Sequence, residues 1–251
     1  MPFIRSVHPC WALVGAAIFL LAPRPARAQQ NMFNVPTGTI TPRGQIYFQE
    51  QNNLGETGES QLTLDFGLGK GFEIGLNVLH VRLYPGKAPF SRSDPSSDAL
   101  TGNMQWGTEL SSSLAVAMGT QQGLSAHNPE HEVRHVGMGW AGVRIEPEKG
   151  RFGEYIIGAY AASRSWSGAG APWGGMLGVE APILPERLSF TADCMLGTNR
   201  QSVEVLGLDI TPVEDSEWQI SLGAQLPGPF APHTDYAVVL GLSHEAEEKK
   251  K

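Results

Sequence analysis

Strict alternation of apolar and polar residues constrains this chain more than any other feature. In Gln61-Leu62-Thr63-Leu64-Asp65-Phe66-Gly67-Leu68, one face carries Leu62, Leu64, Phe66 and Leu68. After Gly69-Lys70-Gly71 the pattern resumes, with Phe72, Ile74, Leu76 and Val78 opposite Glu73, Gly75 and Asn77. Side chains in a strand point alternately to its two faces, so each run has one apolar and one polar face. Two such runs joined by a glycine-containing turn predict a hairpin. The same reading holds for Met104-Trp106-Thr108, Leu188-Phe190-Ala192-Cys194 and Trp218-Ile220-Leu222-Ala224. No segment sustains a helical period with caps. The spacing predicts about twelve strands, at 44–52, 60–68, 71–83, 102–111, 113–122, 134–145, 153–164, 173–182, 187–197, 202–211, 216–226 and 235–243.

Ahead of the strands, residues 1–28 read as a secretory signal peptide. Arg5 supplies a positive charge, Trp11 to Ala22 is an apolar run, and Ala26-Arg27-Ala28 matches a small-x-small cleavage site. The apolar run is too short to span a bilayer as a helix. Its removal takes away three Arg and no acid, shifting the formal charge from −7 to −10. An acidic chain lacks the basic surface that nucleic-acid binding requires. Cys194 is then the one cysteine left, so no intrachain disulfide forms, and no Cys/His set has structural zinc spacing.

Nothing in the mature chain is long and apolar enough to cross a membrane as a helix, so a membrane-spanning reading requires a closed barrel. A soluble β-protein keeps its charge on its outer face. Here the polar face holds Gln, Asn, Ser, Thr and Gly with few charges, which suits a narrow polar lumen. Charge gathers in the connections instead. The two longest links, 84–101 and 123–133, fall on the same end, as do the external loops of outer-membrane barrels. Phe72, Tyr155, Phe190 and Trp218 fall near the ends of apolar faces, where an interfacial aromatic girdle belongs. The expected architecture is an all-β, antiparallel transmembrane β-barrel of about twelve strands in the outer membrane. Residues 29–43 form an N-terminal periplasmic segment, 44–243 the barrel and 244–251 a charged C-terminal tail.

Asn34-Val35-Pro36-Thr37-Gly38, followed by Pro42-Arg43-Gly44 and Gln45-Ile46-Tyr47-Phe48, resembles the opening of many Gram-negative outer-membrane barrels. Leu64 to Leu76 (LDFGLGKGFEIGL) is similar to a first periplasmic hairpin of porin-like and transporter-like barrels. The resemblance implies that architecture and says almost nothing about a solute. Such barrels often end on an aromatic residue, whereas this chain runs past Leu240-Gly241-Leu242 into His244-Glu245-Ala246-Glu247-Glu248-Lys249-Lys250-Lys251.

Candidate chemistry is sparse. The positions expected to line the lumen and set selectivity are Gln49, Asp65, Glu73, Asn77, Gln105, Glu109, Arg144, Asp193, Gln219 and Gln225. Acids and amides in a lumen favour cations or neutral polar solutes over anions. His127, His131 and His135 recur every fourth residue and would align on a helix as metal ligands, but Pro129 breaks such a helix. His80 with Ser91, Ser93, Ser96 and Ser97 near one rim is the nearest approach to a nucleophile and base, and no G-x-S-x-G elbow accompanies it. The expectation is therefore no enzyme and no cofactor, with membrane lipid and small polar solutes as partners. Two alternatives stay open: a non-conducting barrel that binds a partner through loops 84–101 and 123–133, and a soluble exported β-sandwich.

Overall fold

The computed structural model describes residues 30–56, 58–84, 98–127, 132–147, 152–213, 216–231 and 234–245. The proposed signal peptide and most of the charged tail lie outside these residues. Twelve strands, each antiparallel to its neighbours, form one closed barrel in chain order. They are β1 (Ile46–Leu54), β2 (Gly58–Gly69), β3 (Phe72–Tyr84), β4 (Ala99–Ser111), β5 (Leu114–His127), β6 (Glu132–Ile145), β7 (Glu154–Ala162), β8 (Trp173–Leu184), β9 (Leu188–Leu196), β10 (Val203–Ile210), β11 (Trp218–Pro227) and β12 (Ala237–Glu245). Closure comes from β12 pairing with β1, in register from Tyr47–Glu245 to Leu54–Val238. A closed barrel leaves no unpaired strand edge, which is what a sheet immersed in lipid requires.

The first hairpin turns as its sequence predicts. Lys70 and Gly71 have φ of 57° and 76°, the two left-handed residues of a tight turn whose twist matches the strands it joins. The alternation sorts the faces. Leu62, Leu64, Leu76, Ile157, Leu222 and Leu240 point outwards and are exposed, whereas Gln49, Asp65, Glu73 and Asn77 point inwards and are buried. Near the tight-turn end the outer face carries aromatic contacts, Phe72 with Trp106 and Phe48 with Trp218, each pair 6.4 Å between ring centroids. The apolar outer belt with aromatics at its margin is the surface of a bilayer-spanning barrel and the inverse of a soluble sandwich.

Glu50 breaks the belt. It stands at the centre of β1 on the outer face, between Leu62 of β2 and Leu242 of β12, and its carboxylate accepts from Asn52 Nδ2 at 3.2 Å. A carboxyl group held in hydrocarbon is unfavourable, though less so than Arg or Lys. Glu50→Leu is therefore expected to stabilise the barrel in phospholipid vesicles by about 1–2 kcal/mol. The urea midpoint measures this, and a lower midpoint would contradict the lipid-facing placement.

Three sequence expectations change. The link 123–133 is mostly strand, because alternation continues with Leu124 outward and Ser125 buried; β5 runs to His127 and β6 starts at Glu132. His127 and His135 thus lie in extended chain, where every-fourth spacing does not stack side chains as a helix does. His135 is exposed, and His131 falls outside the described residues. Second, the link after β7 contains a short helix, α1 (Arg164–Ser167). Ser163 caps it by accepting from Trp166 N, and Gly168, with φ of 67°, ends it by donating to Arg164 O. Third, the segment 29–43, expected as an N-terminal periplasmic segment, packs residues 30–41 inside the barrel.

Candidate functional site

The internal segment 30–43 forms a compact plug. It folds back on itself through Thr37 N to Gln30 O (2.9 Å) and Met32 N to Val35 O (3.0 Å). Buried carboxylates of the wall hold its backbone. Asp193 accepts from Asn34 N and from Val35 N (2.9 Å), and Glu73 Oε2 accepts from Thr41 N (2.7 Å) and Gln30 Nε2 (2.8 Å). Hydrogen bonds to a carboxylate are stronger than neutral ones. Gln105 Nε2 donates to Thr39 O (2.8 Å), and Arg144 Nη1 donates to Thr39 Oγ1.

Where the plug presses on the wall, the wall gives up its side chains. A Cβ on Gly178 would lie 2.5 Å from Met32 Sδ, and one on Gly207 would lie 2.5 Å from Phe33 Cζ. Glycine inside a strand marks such close approaches. Met32 and Val35 join Met138, Ile156, Tyr160, Met176 and Met195 in one buried cluster, and Phe33 packs with Val205 and Val239 in another. Trp166 of α1 enters the first cluster. Its carbonyl accepts from Arg200 Nε (2.8 Å) and Gln201 Nε2 (3.1 Å), which fastens the link over that side.

The interior is therefore divided. From β6 to β10 the plug and Trp166 pack into an apolar cluster that also takes in Leu79 of β3 and Ala99 of β4, and Glu154, Glu180, Thr191, Asp193 and Asp209 are buried on the same strands. From β1 to β5 it is a wall of amides, including Gln49, Gln51, Gln61, Asn77, Asn103 and Gln121, facing a cavity of about 370 Å³. Neighbours on this wall are cross-bonded: Asn77 to Gln121 (3.1 Å), Asn103 to Asp65 (2.7 Å) and Asn31 of the plug to Gln49 (3.2 Å). An amide carries two donors and two acceptors, so these bonds leave capacity for a solute. Acidic lining residues include Glu59, Asp65, Glu73 and Asp235, with Arg200 the cation among them, and His80 lines the cavity too. His80 sits at a register shift between β2 and β3 with φ of 58°, its Nδ1 3.0 Å from Glu59 Oε2 and its ring edge-on to Trp166.

Of the ten positions expected in the lumen, Gln49, Asp65, Glu73, Asn77, Gln105 and Gln225 border this cavity. Glu109 does not, being exposed at the rim of β4. Arg144 is paired with Glu146 (2.8 Å) and the plug. Asp193 is a plug clasp, and Gln219 borders a separate small cleft beside Glu180 and Asp209. Sequence reasoning missed Gln51, Gln61, Asn103 and Gln121, although each lies on the polar face of its strand. It also missed Trp166, whose link carries no period.

Among solved structures, the KdgM porin superposes with a TM-score of 0.56 at 8% identity, covering 80% of this chain and 99% of that one. The fold is that of an outer-membrane β-barrel. The KdgM porin in complex with disordered oligogalacturonate matches with a TM-score of 0.55, at the same identity and coverage. The outer membrane channel DcaP of Acinetobacter baumannii matches over 80% of this chain and 71% of its own, with 11% identity and a TM-score of 0.33. No family model and no curated protein matches the sequence.

Proposed function

We propose that this chain is an outer-membrane channel for small polar solutes, which move along the amide wall of β1–β5 and are selected for neutral or cationic character. The observation that carries the reading is the cavity of about 370 Å³ that the plug leaves beside the amide wall of β1–β5. Amides match the hydroxyl and amine groups of a solute without demanding a charge, and the carboxylates of Asp65 and Glu73 disfavour anions. One structural neighbour holds oligogalacturonate, a carboxylate-bearing ligand. The acid-rich lining here argues against transferring that ligand to this protein. Export by a cleaved signal peptide, with residues 1–28 removed, places the barrel in the outer membrane on this reading. No catalytic role and no nucleic-acid partner are part of it.

The test is reconstitution into a planar bilayer. Discrete current steps with a cation-selective reversal potential are expected. Asp65→Lys exchanges a carboxylate for an ammonium on the amide wall and is expected to move the reversal potential towards the anion side. An unchanged potential would remove Asp65 from the conduction path. The plug favours a second reading, a closed barrel that acts through its loops, and for that barrel no current flows under any condition.

A further inference from the structure

The amide wall ends on an aromatic. Trp140 of β6 lines the cavity and is half-buried, whereas its neighbours in the apolar cluster, Met138 and Tyr160, are buried. Its cross-strand partner on β5 is Gly119. A Cβ there would lie 2.7 Å from Nε1 and Cε2 of the indole and 2.8 Å from Cζ2. The missing side chain lets the ring lie across the wall instead of standing into the lumen. Gly119 in turn pairs with Gln105 of β4, and Gln121 is the next inward residue along β5. Paired strands are about 5 Å apart and successive inward residues about 7 Å. Both amides therefore stand beside the indole, and both line the cavity. Gln105 uses Nε2 on Thr39 O, and Gln121 uses Oε1 on Asn77 Nδ2. That leaves the Gln105 Oε1 acceptor and the Gln121 Nε2 donor for a solute.

Resting on the channel reading above, we infer that Trp140, Gln105 and Gln121 form a subsite for a neutral pyranose, the ring of a simple sugar. A cation satisfies Gln105 Oε1 alone and an anion Gln121 Nε2 alone. A hydroxyl both donates and accepts, so a pair of ring hydroxyls satisfies both amides. The indole selects shape. Its apolar surface facing the cavity is covered favourably by another apolar face. A pyranose with equatorial hydroxyls offers such a face in its axial C–H groups, and carries its hydroxyls round the edge, where the amides are. An open-chain polyol has the same hydroxyls and no face. The cavity of about 370 Å³ falls within the range of small-ligand sites, about 300–1,000 Å³.

Equilibrium dialysis of the whole protein in detergent, with radiolabelled methyl β-glucopyranoside, reads the subsite without needing conduction. The glucoside is expected to bind at least ~10-fold more tightly than sorbitol, an open-chain polyol used as competitor, the factor set by about 1.4 kcal/mol. Trp140→Ala is expected to abolish that preference, and Trp140→Phe, which keeps an aromatic face, to retain most of it. A merely structural role for Trp140 would not move the ratio of the two affinities. Because Trp140 also packs on the apolar cluster, Gln121→Leu supplies a variant outside it. That variant is expected to weaken both probes about 5-fold, the contribution of one hydrogen bond. Equal affinity for glucoside and sorbitol, or a preference that survives Trp140→Ala, overturns the sugar subsite. So does displacement of the glucoside by equimolar methylammonium chloride. Current in a planar bilayer with no bound glucoside overturns the subsite and leaves the channel standing. Bound glucoside without current supports the subsite and overturns the channel.

Discussion

Asp193→Ala is expected to release the plug from the barrel wall. Asp193 is 3% exposed and accepts three hydrogen bonds from the plug: from Asn34 N, from Val35 N at 2.9 Å and from Asn34 Nδ2 at 3.4 Å. Alanine removes every one of these acceptors and leaves two backbone N–H groups buried beside Met32 and Val35. An unsatisfied buried donor costs roughly 1–3 kcal/mol, so the plug loses about 3–5 kcal/mol of docking free energy. Amide exchange read by mass spectrometry then speeds up at least ~100-fold over residues 30–41, the factor that about 2.7 kcal/mol sets. The β4–β5 pair is expected to keep its protection, because its ladder from Ala99–Ser125 to Ser111–Leu114 does not involve Asp193. Asp193→Asn retains one carbonyl acceptor and falls between the two. Unchanged exchange in the alanine variant would show that packing alone holds the segment.

The barrel was legible because its wall obeys one local rule. Phe72, Ile74 and Leu76 must face lipid and Glu73 and Asn77 must face inwards, so a period of two is written into the chain wherever a strand spans the bilayer. The expected strands fall on the twelve observed, with their ends displaced where the rule fades. The lumen's contents have no such rule. Met32, Phe33 and Val35 sit in a stretch of turn formers, and their partners Gly178, Gly207 and Gly223 are distant in sequence. The trace they leave is indirect: the inward positions of β8, β10 and β11 that meet Met32 and Phe33 are glycines among many inward glycines, and three apolar residues precede β1 with no lipid face to occupy. Trp166 left still less, since a four-residue helix has no period to detect. The candidate site was half legible for the same reason. Amides on strand faces could be placed by parity, whereas the side of the lumen that stays open depends on where the plug packs.

That dependence can be measured as a coupling between Phe33 and Gly223. A Cβ on Gly223 would meet Phe33 Cζ at 2.9 Å, Phe33 Cε1 at 3.0 Å and Val205 Cγ1 at 3.0 Å. Gly223→Val forces the ring out of its seat and is expected to cost about 1–3 kcal/mol through overpacking. Phe33→Ala removes a ring that is 6% exposed and is expected to cost about 3–5 kcal/mol, the range for emptying a buried aromatic site. In the double variant, valine occupies space the ring has vacated. The combined cost is then expected to fall short of the sum by about 1–3 kcal/mol, in the range of contacting pairs. Urea unfolding of the barrel in phospholipid vesicles supplies the four stabilities of the cycle. Additivity within about 0.5 kcal/mol would mean that the two sites do not share one space, and the plug would then have to seat Phe33 elsewhere. A coupling of the expected sign makes the missing side chain at Gly223 part of the plug's receptor, and so ties the wall's sequence to the segment that fills it.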